Sequence, residues 1–153
     1  MEESIATMNE DLHVFVYGTL KPGEANFDRY CGNRVITSRR AHIEGCLYDL
    51  PALGYPGAIH GNSQVHGFVI SFERPTILAE LDELEDFQPH RDPAKNDYNR
   101  ESIVAYLSAV GATSALANRT ASIVAWAYFM NPELVLRCGG IYLPDGWWVG
   151  DGR

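Results

Sequence analysis

The chain has 153 residues, of which 46% are hydrophobic and 21% charged, and its formal net charge is −8. That length suits one domain whose core needs neither disulfides nor metal. The acidic balance argues against nucleic acid, which selects a basic stripe, and against an anionic membrane surface. It leaves a small anionic substrate open, because one local pocket can oppose the global field.

Residues 1–12 are expected to form a flexible tail, and 13–153 a single domain. The opening MEESIATMNEDLH is acidic and has no apolar run of the kind a signal peptide carries. Nowhere is there an apolar stretch of about 18 residues. Cys31, Cys46 and Cys138 form no CxxC pair. Neither a disulfide framework nor a zinc knuckle is expected, and a reducing cytoplasm fits best.

Strands are expected at 13–17, 34–37, 41–49, 64–72, 98–107 and 121–129. The first ends abruptly in YGTLKPG, residues 17–23. This loop is either a plain turn with Gly18 at positive φ, or a row of backbone N–H groups presented to an anion or oxyanion. It has no GxGxxG or Walker pattern, so nucleotide binding has no support. Asn26 suits the N-cap of a short helix opening at Phe27. QVHGFVISF alternates imperfectly, whereas SIVAWAYFM is nearly continuous apolar, as a strand covered on both faces would be. PTILAELDELEDF, residues 75–87, reads as the clearer helix, with Pro75 in its first turn. Polar connections follow at 86–97 and 108–120, and a tail begins at Pro132. Its Trp147 and Trp148 either dock over the barrel or serve an oligomer contact. Many strands, few helices and no βαβ rhythm predict an α+β fold built on a small mixed β-barrel with a few flanking helices.

One acid in the 75–87 helix is out of place. With Leu78 set at zero and about 100° per residue, Leu81, Ile77 and Leu84 fall near 300°, 260° and 240°. Glu80, Glu83, Asp82 and Asp86 lie outside that arc, but Glu85 falls near 340°, between Leu81 and Leu78. Burial raises the pKa of such a carboxyl, and Asp82 and Asp86 push the same way. A carboxyl tuned upward can take and give protons near neutral pH. Alternatively, Glu85 snorkels at the helix end or pairs with Arg91 or Arg100.

Other chemistries lack support. His13, His42, His60, His66 and His90 show no metal-binding spacing, and there is no GxSxG elbow. The cysteines read as small buried hydrophobes.

In chain order, YGTLKPG (17–23), YPG (55–57), VHGFVISF (65–72), LDELEDF (81–87), YNR (98–100) and AWAYF (125–129) resemble the γ-glutamylcyclotransferase-like, or AIG2-like, proteins across about residues 13–130. The resemblance implies a small mixed β-barrel with a cavity capped by the YGTL loop. It implies that Glu85 is the catalytic acid/base and that the backbone of Tyr17, Gly18, Thr19 and Leu20 holds a glutamyl end. Tyr128 would be a pocket wall, and Tyr98 and Arg100 would either support the barrel or touch substrate. The implied reaction cyclises the γ-glutamyl group of a small amine, amino acid or peptide to 5-oxoproline and releases the amine. No metal or other cofactor is implied, and such proteins are monomers or homodimers. One residue departs from the pattern: Asp86 stands where many relatives carry Gly after the catalytic Glu. That keeps a second reading open, a non-catalytic small-molecule-binding or regulatory module.

Overall fold

Two long strands carry the architecture: β2, Val35–Leu50, and β3, Tyr55–Phe72, paired antiparallel along nearly their whole length. They are seen in a computed structural model that describes residues 11–73, 76–108 and 121–150. Residues 1–10 of the expected tail, Pro75, most of the 108–120 connection and residues 151–153 lie outside the described residues.

The expected strands at 34–37 and 41–49 are one strand. Ser38-Arg39-Arg40 between them is an exposed stretch of β2, paired with Ile70, Val69 and Phe68 of β3. Register shifts between Val35 and Thr37 and between Glu44 and Cys46 bend the ladder. The first half of β3, 55–63, is a strand where none was expected. Its Pro56, Gly57, Gly61 and Asn62 resemble turn residues, but packing demands smallness there: a Cβ on Gly57 would sit 2.7 Å from the Met130 sulfur.

β1, Leu12–Val16, pairs antiparallel with β3, from Leu12↔Phe72 to Val16↔Phe68, and parallel with β5 through Val14↔Trp126. β5, Ser122–Met130, pairs antiparallel with β4, Tyr98–Leu107, and β4 meets β2 at Ala41↔Leu107. The β2–β3 pairing closes these five strands into a mixed barrel, and the short β6, Ile141–Tyr142, extends β2.

β1 is buried on both faces, and this organises two cores. Phe15 and Tyr17 join a cluster with Ile43, Leu47, Val65 and the alanines of β4 and β5. Val14 and Val16 join another that includes Ile70, Phe72 and the helix residues Ile77 and Leu81. Two-sided cover also holds for β5 from Ala125 onward, but Val124 is 61% exposed.

Helix α1 spans Ile77–Leu84, shorter at both ends than the 75–87 expected. Ile77 and Leu81 are its buried residues, as the helical wheel requires, and burying each contributes about 1.5–3 kcal/mol. A second helix, α2 at Pro132–Arg137, occupies the start of the expected tail. Its opening is written in Asn131-Pro132, with proline in the first turn where no amide donor is needed. The expected helix after Asn26 is a single turn over Phe27–Cys31, and Asn26 makes no side-chain cap to it. Among the described residues, no helix is long and apolar enough to cross a membrane.

Candidate active site

Glu85 stands at the residue that ends α1, and the geometry of that ending places it. Phe87 N–H donates to Asp82 O at 2.9 Å and Asp86 N–H to Glu83 O at 3.2 Å, the paired bonds of a Schellman ending. Such an ending needs a left-handed residue after the cap, and Asp86 takes it with φ 55°. Glycine adopts this conformation without strain, and Asp tolerates it better than most residues. The departure at Asp86 is therefore absorbed in the turn. Its carboxylate faces Arg91 at 3.2 Å, and Arg91 also donates to the Asp86 carbonyl at 2.7 Å.

Burial pushes the Glu85 carboxyl from the usual 4.5 up to about 8, and Asp82 adds to the shift. Asp86 does not, contrary to the expectation from its sequence position: its side chain is half-exposed beside Arg91. Glu85 itself is half-buried. Among the described residues no salt bridge reaches it; the expected alternative partners are engaged elsewhere, Arg91 on Asp86 and Arg100 on Asp82.

Asp82 anchors the helix to the barrel. Arg100 Nη1 donates to its Oδ2 at 2.5 Å and the Tyr128 hydroxyl to its Oδ1 at 2.7 Å. The Arg100 guanidinium also lies over Phe87 and Trp126, 5.2 and 4.7 Å from their ring centres. Arg100 thus supports the site through Asp82 and does not line the cavity. Tyr128 does line it, and burial with its bond to Asp82 raises its phenol pKa.

The YGTL loop forms the facing wall. Gly18 is not at positive φ, so the plain-turn reading misplaced its purpose. A Cβ there would sit 3.0 Å from two carbons of the Pro56 ring, so glycine lets the loop lie on the YPG segment. The turn closes with Lys21 N–H to Gly18 O at 3.0 Å, and Asn26 fixes Thr19 through its backbone N–H to Thr19 O (2.8 Å) and its side chain to Thr19 Oγ1 (2.9 Å). Among the described residues, the N–H groups of Thr19 and Leu20 donate to no protein acceptor. The Tyr17 hydroxyl donates to Tyr128 O at 2.6 Å and accepts from Ala58 N–H at 3.2 Å, pinning β1 to β5 and β3. The Tyr98 hydroxyl donates to Pro56 O at 2.6 Å. Both tyrosines therefore shape the wall with hydroxyls already committed to the barrel.

Between these walls is a cavity of about 200 Å³. It brings together Tyr17, Gly18, Thr19, Leu20, Glu85, Tyr98 and Tyr128, every expected site residue except Arg100. Asn26, Tyr55 and Asp97 also line it and were not singled out as site residues. Tyr55 lay within the YPG motif, while Asp97 carried no pattern of its own.

The tail holds the loop from behind. Trp148 is 4% exposed, its indole donates to Asp49 Oδ1 at 2.9 Å, and its carbonyl accepts from the Lys21 ammonium. That ammonium lies 3.7 Å from the Trp147 ring centre. Docking over the barrel, one of the two expectations for this tryptophan pair, is realised.

Barrel, loop and helix-end carboxyl together define a class: a small closed barrel with a hollow lined both by a carboxyl with a raised pKa and by a glycine-opened loop with, among the described residues, two amides that donate to no protein acceptor. The family described as gamma-glutamyl cyclotransferase, AIG2-like, matches residues 14–150, and the chain belongs to it. It is 38% identical over 95 residues to a Vibrio cholerae protein provisionally named a gamma-glutamylcyclotransferase, covering 61% of this chain and 80% of that one. It is 40% identical over 75 residues to the gamma-L-glutamyl-butirosin B gamma-glutamyl cyclotransferase of Niallia circulans, covering 49% of this chain and only 46% of that relative. A mouse AIG2-like protein has the same fold, with TM-score 0.64 and 18% identity over 94% of this chain and 92% of its own.

Proposed function

We propose that this protein is a γ-glutamylcyclotransferase, converting the γ-glutamyl group of a small amine, amino acid or peptide to 5-oxoproline with release of the amine. The observation that carries the reading is Glu85, a carboxyl pushed up to about 8, lining the same cavity as Thr19 and Leu20 of the YGTL loop.

The nucleophile is the substrate's own α-amino group, which is an ammonium at neutral pH and cannot attack. Glu85, its carboxyl raised to about 8, takes one proton in its ionised form. The freed nitrogen adds to the γ-carbonyl carbon, a carbon–nitrogen bond forms, and the carbonyl oxygen gains the negative charge. Thr19 and Leu20 N–H groups are the donors suited to that oxygen. Glu85 returns its proton to the departing nitrogen as the old amide bond breaks, and the ring nitrogen gives its remaining extra proton to the released amine, which leaves as an ammonium while the lactam keeps one N–H. Nucleophile and electrophile share one molecule, so no acyl-enzyme is needed. The cavity's main task is to hold the folded-back conformer, a proximity effect. Tyr17, Tyr98 and Tyr128 keep the walls rigid enough for that.

The test is 5-oxoproline formation from a panel of γ-glutamyl compounds by wild type and Glu85→Gln. The substitution keeps shape and removes the base, so turnover should fall by at least about 100-fold while the fold persists. Undiminished turnover would remove Glu85 from the mechanism. Thermal stabilisation by the same compounds with no product from wild type would favour the binding-module reading.

A further inference from the structure

The cavity's titratable groups are one-sided. Glu85 and Asp97 are its carboxyls, and among the described residues no lysine, arginine or histidine lines it. Nearby basic groups are already taken: Arg100 by Asp82, Arg91 by Asp86. Asp97 differs from those two aspartates. It is half-buried, and among the described residues its side chain makes no hydrogen bond or ion pair. Tyr55 lines the same cavity as both acids, and burial raises its phenol pKa, with Asp97 and Glu85 adding to the shift.

At about 200 Å³ the hollow lies below the roughly 300–1,000 Å³ usual for drug-sized ligands. It suits a glutamyl end, with the leaving portion reaching along the wall. We propose that Asp97 selects substrates whose leaving amine carries a second positive charge, such as the γ-glutamyl derivatives of diamines. An ammonium beside Asp97 gains a carboxylate partner and the aromatic face of Tyr55. A neutral alkyl group gains neither, and an anionic one meets the Asp97 carboxylate with no base among the described lining residues to answer it. The net charge of −8 steers in the same direction.

This selection rests on the γ-glutamyl reading of the site, and its test separates the two. The probes are γ-glutamyl-1,4-diaminobutane, γ-glutamyl-n-pentylamine and γ-glutamyl-4-aminobutyrate: cationic, neutral and anionic leaving portions of similar length. Dissociation constants are measured by calorimetry on the Glu85→Gln protein, where turnover does not interfere, and kcat/KM on the wild type. The cationic probe should bind about tenfold tighter than the neutral one, and the anionic probe weakest. Adding Asp97→Asn should shrink the cationic preference to about twofold or less, and Asp97→Glu should retain most of it. If calorimetry shows this pattern but no 5-oxoproline forms from any probe, charge selection stands and the cyclisation reading falls. Equal affinities, a preference that survives Asp97→Asn, or no binding of any probe would overturn the selection.

Discussion

Replacing Glu85 by glutamine should make the protein more stable, and by an amount set by pH. The Glu85 carboxyl is shifted from 4.5 to about 8 by burial, so the folded chain holds its proton more tightly than the unfolded chain. The unfolded state therefore binds fewer protons through this window, and stability falls as pH rises from about 4.5, levelling above about 8. The loss integrates to about 3 kcal/mol at pH 7 and about 5 kcal/mol above pH 9. Glutamine has nearly the same shape and nothing to ionise, so it escapes this loss. Thermal melts of both proteins should nearly coincide near pH 4.5 and separate progressively, with the glutamine form melting about 10 °C higher at neutral pH. Parallel melting curves from pH 4.5 to 9 would refute the reasoning, because an acid that ionises as easily folded as unfolded is not desolvated. The same substitution should abolish turnover, so stability and activity part company at one residue.

Four further outcomes follow from the same geometry. In the active protein, kcat/KM for 5-oxoproline release should climb with pH toward about 8, because about one Glu85 in ten is ionised at pH 7; a flat profile over pH 6–8 contradicts a carboxyl at about 8. Arg100→Leu leaves Asp82 without its cation in a partly buried site and should cost about 3 kcal/mol in a denaturant titration, whereas a loss under 0.5 kcal/mol shows that the pair anchors nothing. Gly18→Ala pushes a methyl to 3.0 Å from the Pro56 ring and should cost about 1–3 kcal/mol while depressing turnover; a silent substitution means that the loop does not need that contact. Asp86→Gly relieves a left-handed aspartate and should be neutral or stabilising by up to about 1 kcal/mol with turnover unchanged, while Asp86→Val should destabilise; the reverse order would contradict the helix ending described.

Local signals in the chain pointed to the parts of the site that depend on local rules. Glu85 was visible because an eight-residue helix has a fixed angular step, and an acid inside its apolar arc has nowhere else to go. The YGTL loop was visible because a strand of Val and Phe ended on a glycine. The reason for that glycine was not, since it lies in Pro56, 38 positions further along the chain. The partners of Arg91 and Arg100 were equally out of reach: four acids sit within residues 82–86, and only the fold of the helix end decides that Asp86 faces Arg91 and Asp82 faces Arg100. The full length of the β2–β3 ribbon was hidden by the turn-like YPGAIHGN, which is strand only because the opposite strand pairs it. Asp97 follows a buried asparagine, Asn96, whose side chain ties Gln88, Arg91 and Asn99 together. Nothing periodic marks that hub, so the loop that positions Asp97 reads as plain polar linker.

The central claim is that one carboxyl in the cavity holds its proton into the mildly basic range. Carbon-13 chemical shifts of the glutamate side-chain carboxyls, followed from pH 3 to 10 and assigned by loss of one signal in Glu85→Gln, measure it without substrate. A Glu85 midpoint near 8 is the expected result. A midpoint near 4.5, alongside the other glutamates, would contradict the account.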